Sequence, residues 1–135
     1  MNKIEGGCLC GNIKYHSISE PLFITICHCS HCQKQCGTAF SIIVGIKKKS
    51  LYIEGKLKCF KDIGNSGMPV YRKFCGDCGS PIISEVSSIP ELLFIKAGTM
   101  KNIKQLKPTK EIWTKDKLDC ISINGIIEQH NTAGK

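Results

Sequence analysis

Seven of the ten cysteines in this chain fall into three tight clusters, Cys8-x-Cys10, Cys27-x-Cys29-x-x-Cys32 and Cys75-x-x-Cys78. Tetrahedral zinc takes its sulfurs at about 2.3 Å, which sets neighbouring sulfurs roughly 3.8 Å apart. A Cys-x-Cys pair meets that spacing from an extended segment, because residues i and i+2 point to the same side. A Cys-x-x-Cys pair meets it from a tight turn, and Gly79 directly after Cys78 supplies the positive φ such a turn needs. Two pairs fill one tetrahedral site. Joining Cys8 and Cys10 to Cys75 and Cys78 would tie the N-terminal strand to the middle of the chain. A redox dithiol at Cys75 and Cys78 is the competing reading, but no βαβ pattern surrounds them.

The triplet differs, because Cys27, Cys29 and Cys32 leave a fourth position open for water or a substrate, the mark of a catalytic rather than a structural zinc. Three thiolates on Zn²⁺ give a net charge of −1, a poorer Lewis acid than zinc held by neutral histidines. Such a centre is better suited to holding another thiol as thiolate than to making hydroxide. Two readings would close the site: Cys36, four residues after Cys32, as a fourth ligand, or His28 or His31 in that place. Cys59 and Cys120 sit in apolar, strand-like runs and are expected to be small core residues. Trp113 is likewise expected in the core rather than as a substrate platform.

At 135 residues the chain is expected to form one domain, 1–135, burying roughly two-thirds of its unfolded surface. The start, Met1 to Gly7, has no apolar segment of a secretory signal. The longest apolar run, 39–46, is far short of the ~20 residues of a membrane span. The expected location is therefore the cytoplasm, where thiols stay reduced and ten cysteines are better explained by metal than by disulfides. Seven thiolates on two Zn²⁺ ions would remove three charges, taking the formal +8 to about +5. The run Lys47-Lys48-Lys49 reads as a solvated turn, since no aromatics alternate with the lysines to stack bases. Nucleic acid is not an expected partner.

The apolar pattern is mainly of period two, in short runs with polar breaks, and predicts a mostly β chain. Strands are expected at 13–16, 22–26, 40–46, 51–53, 57–60, 70–74, 81–84, 92–96, 111–114 and 120–123. Glu54-Gly55-Lys56 predicts a hairpin joining the fourth and fifth of these. The one helix expected is a turn or two over 30–35, stopped by Gly37.

Taken together, Gly6-Gly7-Cys8-Leu9-Cys10-Gly11, Cys27-His28-Cys29-Ser30-His31-Cys32, Gly37-Thr38-Ala39-Phe40-Ser41, Arg72-Lys73-Phe74-Cys75-Gly76-Asp77-Cys78-Gly79-Ser80-Pro81 and Ala97-Gly98-Thr99-Met100 resemble the glutathione-dependent formaldehyde-activating enzyme family, which also includes centromere protein V. The match runs in order over about 6–113. The resemblance implies a β-tent of small packed antiparallel sheets stapled by zinc, with few or no long helices. It implies two zincs per chain: a structural one on Cys8, Cys10, Cys75 and Cys78, and a second, labile one on Cys27, Cys29 and Cys32. It also implies a carbon–sulfur lyase activity that joins formaldehyde to glutathione as S-hydroxymethylglutathione. This chain departs from the family pattern at Lys101, where members often carry Asp, at Cys120, where a Trp is frequent, and at Glu111, where a His commonly precedes the Ile-Trp. None of these is a proposed metal ligand.

The expected function is then a zinc-dependent enzyme in which a small thiol, glutathione by resemblance, occupies the open position and attacks a small electrophile such as formaldehyde. His28 and His31 are candidates for proton transfer, and Arg72 and the lysines could hold the thiol's carboxylates. The rival classes are a non-catalytic zinc-stabilised binding module, with Cys36 closing the triplet, and a zinc-ribbon-like nucleic-acid binder supported only by the basic charge balance. A shared scaffold does not fix the reaction.

Overall fold

The computed structural model describes residues 3–133. Residues 1, 2, 134 and 135, which the one-domain expectation and the reading of the chain's start include, lie outside the described residues. The described residues form eleven strands: β1 (Glu5–Gly7), β2 (Lys14–Ser17), β3 (Phe23–Cys27), β4 (Ser41–Lys47), β5 (Leu51–Glu54), β6 (Leu57–Ile63), β7 (Pro69–Cys75), β8 (Pro81–Val86), β9 (Leu92–Lys96), β10 (Lys110–Ile112) and β11 (Glu128–Gln129). The single α-helix among the described residues, α1 (Ser30–Cys36), follows β3 directly. The chain is mainly β, as its period-two pattern predicts.

The strands form two sheets, a three-stranded one in the order β1-β2-β5 and an eight-stranded one in the order β11-β10-β3-β4-β9-β8-β7-β6. Pairing is antiparallel except at one edge, where β10 runs parallel to both β3 and β11. The expected 51–53/57–60 hairpin does not form. β5 pairs with β2 in the small sheet, and β6 pairs with β7 in the large one. Gly55, at φ +99°, turns the chain from one sheet to the other. Its absent side chain leaves room for the Asn12 carbonyl, which a Cβ would meet at 2.4 Å. The 120–123 run forms no strand, and Cys120 and Cys59 are exposed rather than in the core. Both readings fail for one reason: a short apolar run carries no information on which sheet face, if any, is available to cover it.

The core lies between the sheets. Ile13 and Tyr15 of the small sheet's layer meet Val44, Ile46, Ile83, Leu93 and Ile95 of the large sheet, all at most 4% exposed. Side chains alternate along strands, and the register places Val44 opposite Ile95 and Ile46 opposite Leu93 on this inner face. The intervening residues of the same strands, among them Ser41 and Lys96, therefore occupy the other face. Helix α1 lies over that outer face, where His31 reaches Asp62 on β6. The register thus puts the main apolar core on one side of the large sheet and Ser41, Lys96 and α1 on the other.

Candidate metal centres

The first cysteine pair lies just beyond β1, in a turn closed by the Gly11 N–H donating to the Cys8 carbonyl. The second closes β7 and turns into β8, with Gly79 at φ +80°. Two contacts clasp these loops: the Leu9 N–H donates to Ser80 Oγ at 3.0 Å, and Asn12 Nδ2 donates to Asp77 Oδ2 at 2.8 Å. The four sulfurs of Cys8, Cys10, Cys75 and Cys78 all lie within 4.8 Å of one another. Cys8 Sγ is 3.5 Å from Cys10 Sγ, which is 3.7 Å from Cys75 Sγ. These separations match the roughly 3.8 Å edge of a tetrahedral zinc–sulfur site.

The charges of these thiols fit the same conclusion. Cys78 is lowered to about 5, chiefly by the Ser80 hydroxyl. Cys10 is pushed up to about 12: the Asn12 N–H favours its thiolate, but desolvation and the three neighbouring sulfurs together prevail. Four thiolates cannot share this space on protein hydrogen bonds alone. A divalent cation would supply the missing positive charge, so the donor set fits zinc.

The triplet is built at the β3–α1 junction. Cys27 ends β3, Cys29 is the N-cap of α1, and Cys32 stands in the first turn. The Cys32 N–H donates to Cys29 Sγ at 3.3 Å, so the helix start itself orients a ligand. Gly37 ends the helix at φ +67°, as its sequence position predicts. The three sulfurs lie within 4.8 Å of one another, and all three residues are at most 7% exposed. Cys32 is held well below the ordinary thiol range by hydrogen bonds from Cys27 and Cys29, then by the positive charges of Lys96 and Arg72. Cys27 is pushed up by the same sharing of hydrogen bonds. Three convergent sulfurs also fit zinc, with one tetrahedral position filled by none of the described residues.

None of the three proposed closing residues joins this cluster. The Cys36 thiol turns to Gln35 Oε1 at 3.6 Å. His31 Nδ1 donates to Asp62 Oδ2 at 2.8 Å. His28 is fully buried, and its Nε2 donates to Glu111 Oε2 at 2.6 Å. Glu111 pairs in register with Ile26, on the inner face of the sheet, whereas Cys27 pairs with Ser41 on the outer face. The two histidine candidates are thus separated: His31 lies on the triplet's side and His28 on the other.

Trp113, expected in the core, is only partly buried and packs against the triplet with Ile112, with a left-handed backbone at φ 55°. Arg72 is buried, donates Nε–H to Asp62 Oδ2 at 2.9 Å, and stands close enough to Cys32 for the two charges to favour one another. The same guanidinium lines a cavity of about 390 Å³ with Ser30, His31, Lys34, Gln35, Phe60 and Asp62. Arg72 therefore joins the cavity to the three thiols. Lys96, at the end of β9, is one of the lysines that the sequence groups as possible carboxylate holders without singling any out. It is 5% exposed, and its Nζ donates to Ser41 Oγ at 3.0 Å.

No described helix is long and apolar enough to cross a membrane. The family model described as glutathione-dependent formaldehyde-activating enzyme matches residues 3–116. No curated protein matches the chain. Among solved structures, that of a Rhodobacter sphaeroides protein is similar at a TM-score of 0.57 and 18% identity, covering 93% of this chain and 98% of that one. At that identity the likeness shows the fold alone.

Proposed function

The chain belongs to the glutathione-dependent formaldehyde-activating enzyme family, and from that membership we propose that it is a zinc-dependent carbon–sulfur lyase joining a small thiol, glutathione by family, to a small aldehyde such as formaldehyde. The carrying observation is a set of three buried, convergent thiols with no fourth ligand among the described residues, joined through Arg72 to a cavity. Cys8, Cys10, Cys75 and Cys78 would hold a structural zinc, and Cys27, Cys29 and Cys32 a second one. Bound at the triplet, zinc would supply the positive charge that keeps an incoming thiol deprotonated at neutral pH.

The chain's own residues support the rest. The cavity offers Lys34 at its rim and Arg72 at its base, cations that suit the carboxylates of a thiol substrate. Phe60, 61% exposed on β6, gives one wall an apolar surface. Holding thiol and aldehyde together turns a two-body encounter into an oriented one. In the addition, a sulfur lone pair forms the C–S bond, the carbonyl π pair moves to oxygen, and the oxygen takes a proton to give S-hydroxymethylglutathione. The lyase direction is the reverse. His31, steadied by Asp62 at the cavity wall, is the better-placed group to move that proton. The same reading takes the chain as one domain in the cytoplasm, where its ten free thiols stay reduced.

Exchange between glutathione and formaldehyde, followed by NMR, tests this reading. Zinc-loaded protein is expected to accelerate it. No acceleration would remove formaldehyde as the substrate.

A further inference from the structure

Lys96 is the buried cation whose place in the fold the function above leaves unexplained. Its ammonium bonds the Ser41 hydroxyl, and among the described residues no carboxylate lies within ion-pair reach of it. A buried ammonium is costly unless negative charge stands near it, and the nearest such charge is that of the three thiols, since the Lys96 charge lowers Cys32.

The register shows where that charge belongs. Cys27 faces Ser41, and Ile43 faces Lys96, so Cys27, Ser41 and Lys96 share the outer face of the large sheet. On the next strand Ser84 faces Phe94, two residues before Lys96, and on the following one Arg72 faces Ser84. Ser84 is buried, and its Oγ has no hydrogen-bond partner among the described residues. Arg72 is already shared between Asp62 and the thiols. Lys96, whose charge also acts on Cys32, spends one N–H on Ser41 and, among the described residues, donates no other side-chain hydrogen bond, and Ser84 is the uncommitted hydroxyl; both lie on the face of the three sulfurs.

We propose that Lys96 and Ser84 form an oxyanion subsite beside the triplet, which receives the carbonyl oxygen of the electrophile. The assignment rests on the lyase reading for its role in the reaction. As the C–S bond forms, the carbonyl electron pair collects on oxygen; a fixed ammonium and hydroxyl aimed there stabilise the addition more than the ground state. The oxygen then takes the proton that the thiol lost, so the product is neutral at that atom. In the lyase direction the same groups hold the oxygen while the C–S bond breaks.

Formate, a one-carbon oxyanion, is the probe. It is titrated into zinc-loaded protein with no thiol or aldehyde present and followed by ¹³C NMR line broadening. Saturable binding is expected, weakened at least about tenfold by Lys96→Met and restored to within about threefold by Lys96→Arg, as loss and return of one charge-assisted hydrogen bond require. Zinc per chain is expected to be unchanged in both. Formate that does not bind the wild type, or binds Lys96→Met as tightly as the wild type, overturns the subsite. If Lys96→Met does not fold, Ser84→Ala decides, since it removes only an unpaired hydroxyl: weakening by about threefold supports the subsite and unchanged binding overturns it. Failure of the lyase reading shows separately, as a wild type that binds formate yet does not speed the glutathione–formaldehyde exchange.

Discussion

His28 and Glu111 form a buried pair, Nε2 to Oε2 at 2.6 Å, with side chains 0% and 1% exposed. The pair anchors the start of the Cys27-to-Cys32 loop to β10, and Lys117 and Gln129 complete the shell of the carboxylate. Glu111 departs from the family's usual histidine, and its contacts make it a support of the ligand loop from the inner face of the sheet. Removing the carboxylate by Glu111→Ala leaves His28 and Lys117 without their partner, at a cost of about 3–5 kcal/mol. Urea denaturation measures this, and an undiminished midpoint would show that the pair contributes nothing.

The same carboxylate gives a pH dependence of known sign. Burial works against its charge, but the bonds from Gln129, His28 and Lys117 outweigh it and hold Glu111 below the ordinary range. A lowered folded-state pKa means the unfolded chain binds the proton more tightly, so the stability is fully present above the unfolded value of about 4.3 and is lost as pH falls through the folded value. Wild type and Glu111→Gln are expected to differ in stability at neutral pH and to converge below about pH 4. Denaturant midpoints across pH 3–7 check this; a difference that stays constant would contradict it.

Metal removal is expected to separate the two centres. Four thiols supply every tetrahedral position at Cys8, Cys10, Cys75 and Cys78, whereas the triplet supplies three. A mild chelator should therefore take one zinc of two while far-UV circular dichroism is unchanged. Loss of both together, or unfolding with the first, would refute the distinction.

Cys29 and Cys36 are seven residues apart but predict opposite outcomes. Cys29→Ala removes a sulfur of the cluster and the N-cap of α1, and is expected to lower second-site zinc affinity and the exchange rate by more than about a hundredfold. Cys36→Ala removes a thiol that contacts Gln35 outside the cluster, and activity is expected to stay within about twofold. Metal content and NMR exchange on both variants check this; equal losses would bring Cys36 back as a ligand.

Gly6 is expected to tolerate no side chain. A Cβ there would lie 2.2 Å from the Thr99 carbonyl and 2.5 Å from Tyr15 Oη, where β1 meets the residues after β9. Gly6→Ala should cost about 1–3 kcal/mol or more by overpacking, read as a fall in denaturation midpoint. Gly11→Ala, with open space around its Cβ but φ +84°, separates strain of the backbone from lack of room.

The ligand clusters were legible in the sequence because their geometry is local. Cys-x-Cys on an extended segment and Cys-x-x-Cys at a turn carry their sulfur spacing with them, and Gly37 and Gly79 mark the stops those turns need. The mainly β class was legible for a related reason, since alternation records a half-buried surface. Pairing was not: Gly55 sits between two strand-like runs and looks like a hairpin, yet it sends them to different sheets.

By itself, then, the sequence determined which seven cysteines could act as ligands, how they divide, and that short strands would carry them. Tertiary structure decided which side of the sheet each remaining group occupies. It put Cys27, Ser41, Lys96 and Arg72 on one face, turned His28 to the other with Glu111, and left Cys36 outside the cluster. The reason is physical: sulfur spacing within a cluster is set by a few backbone dihedrals, whereas facing is set by strand register and by the packing of two sheets, which no local run encodes.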